Sequence, residues 1–274
     1  PLGETDFSFL AGAGSATAEL KLPLELRNDI ASLSVEGARN AAATRLIDDR
    51  MKRKRVALLS GATTDSAQPL LSPLYYISRA LTPYADVIEP RSAGLSGAIA
   101  ELLDNRPSVL VMADVGTVQQ PALASLEKWI DAGGVLIRFA GPRLAAATDD
   151  ALLPVTLRRG ERALDGSMSW TVPQSLLPFG EKSPFAGVAI SEDLVVSRQV
   201  LAEPSPDLGE KSWADLQDGT PLVTAVAQGR GTIVLYHVTP NTGWSNLPLT
   251  GTFVEMLRRT VSLAQAGPGA GLNG

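Results

Sequence analysis

Between Val56 and Gly141 the chain switches repeatedly from short, continuous apolar runs to stretches with helical spacing, and this alternation constrains the fold more than any other feature. "VALLSG", "DVIEP", "PSVLVMADVG" and "VLIRFAG" read as strands. "LLSPLYYISRALTPYA", "LSGAIAELLDN" and "QPALASLEKWIDAGG" read as the helices between them. Strands without polar alternation are those buried on both faces, and helices of this length between them imply a parallel sheet covered on both sides. Pro73 is tolerable in the first turn of its helix, and Gly133 and Gly134 close the third helix as a left-handed cap requires.

The rest of the chain is organised around this block. Residues 1–18 and 266–274, rich in Gly and Ala, read as flexible flanks, and two such ends suggest a module cut from a longer polypeptide. Residues 19–52 form a β segment. Leu20, Leu22, Leu24 and Leu26 share one strand face, Ile30, Leu33 and Val35 supply a second run, and "RND" turns between them, with Pro23 favouring an edge. The main α/β domain spans 53–265. Within it, residues 144–218, rich in Pro, Gly and charge, form a β-rich excursion with long loops and short runs such as "GVAI" and "LVVSRQVLA". "PLVTAVAQGRGTIVLYHV" makes a hairpin around "QGRG". "LTGTFVEMLRRTVSLAQ" is a final helix with Phe253, Met256, Leu257 and Val261 on one side.

Composition excludes several chemistries. With no cysteine, the chain has neither disulfides nor thiolate catalysis, and one histidine among 274 residues makes a protein-only zinc site improbable. A net charge of −5 gives no reason to expect nucleic acid as a partner, and the basic cluster "DDRMKRKR" reads as a solvated connector. No apolar run is long enough to cross a bilayer. "SGATTDSAQP" lacks the glycine spacing of a dinucleotide site, the Lys of a P-loop and the dense hydroxyls of a flavin phosphate cradle, so no cofactor is expected.

Two motifs carry a resemblance. "SVLVMADVGTVQQPALASLEKWIDAGGVLIRFAGP" and "TPLVTAVAQGRGTIVLYHVTPNTGW", in that order, resemble the class I glutamine amidotransferase-like fold, a flavodoxin-like doubly wound parallel sheet. Together with "LPLELRNDIASLSVEG", "AQPLLSPLYYISRALTPYADV" and "WSNLPLTGTFVEMLRR", they resemble the middle soluble region of large bacterial membrane proteins. In those proteins an N-terminal double-transmembrane (BatA-like, aerotolerance-regulator-like) segment precedes the region and a DUF4159 domain follows it. The resemblance implies a domain held at a membrane only by flanking segments, on the periplasmic side, with protein partners in the cell envelope that include a MoxR-type ATPase system. It supplies no established reaction.

An amidotransferase of this fold needs a Cys on the tight turn after "VLIRF", backbone N–H groups there to hold an oxyanion, and a His oriented by a carboxylate. That turn falls at Ala140 and Gly141, which offer no nucleophile. No serine elbow replaces it: Ser60, Thr63, Thr64 and Ser66 place hydroxyls at the ligand-bearing edge, but "LLSGATTDS" is not a Gly-x-Ser-x-Gly turn. Ligands of open parallel sheets lie beyond the carboxyl ends of the strands, which makes Asp65, Asp114, Arg143, His237, Asn241 and Trp244 the candidate crevice residues. Each has a plain structural alternative. Asp114 would cap a helix or fix a loop instead of orienting a base. Arg143 would be an ordinary exposed cation instead of a carboxylate clamp. His237 would be hydrogen-bonded in a loop, and Trp244 packed under the last helix. The expectation is a catalytically silent binding domain. The rival is a hydrolase acting on a sugar or peptide through Asp114 and His237.

Overall fold

The computed structural model describes residues 1–9, 11–20, 22, 30–38, 40–47, 53–61, 72–92, 94–147, 151–158 and 167–264. The chain divides into two units, Pro1–Arg53 and Lys54–Gly274.

In the first unit β1 (Ser32–Ser34) pairs antiparallel with β2 (Thr44–Leu46), Ser32 opposite Leu46. The pair is extended by Val35 N–H donating to Ala43 O at 2.9 Å and Ile47 N–H donating to Ala31 O at 2.9 Å. The middle of the run Ile30–Val35 is therefore a strand, Ser32–Ser34. Its partner, however, is a segment that the pattern of apolar residues leaves unassigned, because every side chain of β1 and β2 is exposed and neither strand carries an inward face. Most of the expected first strand and its "RND" turn lie outside the described residues.

The second unit is built on a seven-stranded sheet in the order β4-β3-β5-β6-β11-β10-β9. Its strands are β3 (Lys54–Ser60), β4 (Ala85–Ile88), β5 (Val109–Ala113), β6 (Val135–Phe139), β9 (Ser212–Asp215), β10 (Pro221–Gln228) and β11 (Gly231–Tyr236). Strands β4, β3, β5, β6 and β11 run parallel; β10 and β9 complete the sheet antiparallel. The sheet is an α/β layer of largely parallel strands, with α1 (Tyr75–Leu81), α2 (Leu95–Asp104), α3 (Ala122–Asp131) and α6 (Gly251–Ser262) as its main helices.

The two apolar faces explain why the strands read as continuous runs. Successive side chains of a strand point to opposite faces. Val56, Leu58, Val111 and Ile137 pack with Ile77 and Leu81 of α1 and with Phe253 and Leu257 of α6. Ala57, Leu59, Leu110 and Met112 pack with Ile99 and Leu102 of α2 and with Leu126 and Ile130 of α3. Each helix therefore needs only one apolar stripe, whereas each central strand needs two. Helix α6 starts where Thr250 Oγ1 accepts from Phe253 N–H at 3.2 Å.

Among the described residues, 144–218 hold less regular structure than the β-rich reading implies. They contain the end of the four-residue α4 (Pro142–Ala145), a two-stranded ribbon of β7 (Met168–Ser175) and β8 (Val195–Gln199), the short α5 (Leu208–Lys211), and β9. "GVAI" forms no strand; Val188 and Ile190 are half-buried residues packed on the core.

The β10–β11 hairpin closes as the sequence indicates, Gln228 opposite Gly231, with Gly229 at φ 57°. It also leans on the end of α3. A Cβ at Gly231 would stand 2.2 Å from Ile130 O and 2.3 Å from Gly134 O, so only glycine permits this approach. We expect Gly231→Ala to destabilise the chain by about 3 kcal/mol, read as a lowered urea midpoint at unchanged slope; an unchanged midpoint would show that α3 and the hairpin are not in contact.

Candidate functional site

Strands β3, β5 and β6 end side by side, and their ladder continues one step past each end. Gly61 N–H donates to Ala113 O at 2.9 Å, Asp114 N–H to Phe139 O at 3.0 Å and Ala140 N–H to Tyr236 O at 2.9 Å. Asp114 therefore sits at the centre of the carboxyl edge, in the left-handed region at φ 50°, a conformation that Asp tolerates better than most residues.

Its side chain turns onto the start of α4. Oδ1 accepts from Arg143 N–H at 2.8 Å and Leu144 N–H at 3.1 Å, and Oδ2 meets the Arg143 guanidinium at 3.3 Å. Gly141, at the cap position, has no side chain to offer, so the carboxylate from the next loop satisfies those orphan donors. The packing is close: a Cβ on Gly141 would lie 2.3 Å from Asp114 Cγ, and one on Gly61 would lie 2.0 Å from Asp114 O. Burial pushes the Asp114 carboxyl above its ordinary pKa, while the N–H groups of Leu144 and Arg143 and the Arg143 charge hold it down in part.

A second charged residue lies here that nothing in its sequence context marks as functional. Arg138, only 2% exposed in β6, donates to the carbonyls of Val115, Gly116 and Ala151. It clamps the loop that carries Asp114. The only signal was one cation inside "VLIRF", a strand whose five residues are all buried.

His237 follows β11 and is fully buried. Its Nδ1 lies 2.8 Å from Val200 O and its Nε2 lies 3.0 Å from Thr224 Oγ1. A carbonyl only accepts, so Nδ1 carries the proton and Nε2 accepts from the Thr224 hydroxyl. Desolvation lowers its pKa to about 4, against a small upward pull from Val200 O. Its partners come from β10 and from the segment after β8; those of Asp114 come from the turn after β6. The two residues do not form a base and its orienter. Placing His237 on the crevice is thus corrected, because a fully buried ring with both nitrogens bonded has no access to a substrate.

Trp244 is also in the core, 5% exposed, with its carbonyl accepting from Ser197 and Arg198 N–H groups at 2.9 and 3.1 Å. Asn241 shapes a turn, its Oδ1 accepting from Gly243 N–H at 3.1 Å. Asp65 lies outside the described residues. Of the six candidates, the structure brings together Asp114 and Arg143.

Beside them opens a cavity of about 640 Å³, lined by the end of β3, the segments just after β4 and β5, and the start of α2. Leu59, Leu74, Ala98 and Val115 give it an apolar wall; Arg143 and Glu89 bring charge to it. Among the described residues no group of three or more His, Asp or Glu side chains is placed to hold a metal ion, and no helix is long and apolar enough to cross a membrane.

No protein-family model and no curated protein matches the chain. Solved structures do. A cytoplasmic protein of Salmonella typhimurium aligns at TM-score 0.56 and 10% identity over 77% of this chain and 99% of its own. A second cytoplasmic protein of that organism aligns at 0.53 and 15%, over 76% and 98%. A protein of Parabacteroides merdae described as ThuA-like aligns at 0.51 and 13%, over 78% and 90%. At such identities the likeness establishes a shared α/β fold alone.

The buried imidazole makes a pH prediction. With a folded pKa near 4 and an unfolded value near 6.5, the unfolded chain binds the extra proton in between. The His237 contribution is complete above pH 6.5 and is lost as pH falls towards 4, on the order of 3 kcal/mol in total. The stability gap between the parent and His237→Gln, from urea titrations, is expected to shrink from pH 7.5 to pH 4.5. A constant gap would mean that the imidazole is solvated.

Proposed function

We propose that this chain is a catalytically silent, amidotransferase-like domain that works as a binding or assembly module. In the full-length protein it is held at a bacterial membrane by flanking segments and meets protein partners of the cell envelope, a MoxR-type ATPase system among them. The doubly wound order of the sheet and the likeness to one ThuA-like structure support the scaffold; the motifs read in the sequence support the membrane context.

One observation carries the silence: the Asp114 carboxylate fills the turn where a nucleophile would stand. The reaction would require a reactive side chain at Ala140 or Gly141 and free N–H groups beside it. Instead, the N–H groups of Arg143 and Leu144 are bonded to Asp114, and a Cβ at Gly141 would fall 2.4 Å from its Oδ1. An oxyanion held there would have to displace an internal carboxylate of the same charge. Restoring sulfur alone would not restore chemistry, since the imidazole needed as base faces Thr224 and Val200.

The test is ammonia release from glutamine by the parent and by Gly141→Cys. Neither is expected to turn over, and Gly141→Cys should lose about 3 kcal/mol of stability from the clash. The proposal fails if the parent hydrolyses glutamine, or a sugar or peptide substrate, and His237→Ala and Asp114→Ala each abolish that turnover while remaining folded.

A further inference from the structure

We infer that the cavity beside Asp114 binds a small monocarboxylate with an apolar body, its carboxylate on Arg143, and that Glu89 excludes dianions. This rests on the reading of the domain as a binding module. The volume, about 640 Å³, falls in the range of small-molecule sites, where apolar walls bury the ligand body and a few polar groups orient it. The walls are Leu59, Leu74, Ala98 and Val115, all buried, and half-buried Leu95 at the start of α2. A wholly polar ligand would leave that surface unused.

Arg143 supplies the orienting charge. Its side chain is 52% exposed, and among the described residues its guanidinium meets one partner, Asp114 Oδ2 at 3.3 Å, through Nη1 alone. The guanidinium fork carries five N–H donors and suits a planar carboxylate in two-point contact. Asp114 holds the root of this side chain through its main-chain N–H, so the fork is presented from a fixed base. The same carboxylate neutralises part of the Arg143 charge, and Glu89, exposed on the cavity lining, adds a negative charge. A single carboxylate therefore finds its partner in the guanidinium donors that Asp114 leaves unengaged, and a second negative charge meets only the repulsion of Asp114 and Glu89. That balance selects a monocarboxylate over a dicarboxylate or a phosphate ester.

The test uses the whole 274-residue chain and three probes that share a six-carbon body: hexanoate, hexanol and adipate. Binding is followed by NMR through the methyl signals of Leu59, Leu95, Ala98 and Val115. Hexanoate is expected to shift these signals saturably, with at least tenfold weaker binding for hexanol and for adipate. Arg143→Gln should weaken hexanoate at least tenfold while the fold, read by amide dispersion, persists. Glu89→Gln should bring adipate to within about threefold of hexanoate, a gain that a merely damaged fold would not produce. Hexanol binding as well as hexanoate would overturn the assignment of Arg143 and leave a binding domain for apolar ligands. No saturable shift with any probe would overturn the inference, while the silence of the turn would still be judged by the glutamine assay alone.

Discussion

A carboxylate on the start of a helix is the interaction on which the rest of this molecule's carboxyl edge depends. Asp114 leaves β5 in a left-handed conformation and is pressed between the backbone after β3 and the turn after β6. There it supplies the acceptor that Gly141 cannot supply to α4. Both glycines, Gly61 and Gly141, are required by this approach, since a side chain at either would overlap Asp114. Arg138 completes the arrangement from below by holding the carbonyls of the loop that carries it. The turn that could present a nucleophile is thus a packed structural joint.

Burial of a charge in such a joint is unfavourable unless its oxygens are satisfied, and here two main-chain N–H groups and a guanidinium do so. The upward displacement of the Asp114 pKa shows that desolvation still outweighs those donors. Two strands along the same carboxyl edge, just after β11, the polar problem is solved differently: His237 stays neutral, bonded through both ring nitrogens. Two groups that resemble parts of one catalytic device in the sequence therefore serve two separate structural tasks. What the edge leaves open is the cavity beside Arg143.

The sheet was legible because its strands are buried on both faces. "VALLSG" and "VLIRFAG" lack alternation for that reason, and the helices between them show one apolar stripe each. The final helix was legible down to its buried residues Phe253, Met256, Leu257 and Val261. β2 was not, since it buries nothing. The site was legible only in its members. Nothing in "MADVG" says that Asp114 reaches Arg143 and Leu144, because that contact is made by the stacking of two loops. Likewise a lone His cannot announce partners at Thr224 and Val200, and Arg138 looked like noise in an apolar strand until its carbonyl partners were placed.

The most direct measurement is a double-mutant cycle between positions 114 and 141. If the Asp114 side chain fills the turn, Gly141→Ala should cost about 3 kcal/mol in the parent and less than about 1 kcal/mol once Asp114→Gly has removed the overlapping atoms. Equal costs of Gly141→Ala in both backgrounds would contradict the account, for they would place the carboxylate elsewhere and leave the turn open for chemistry.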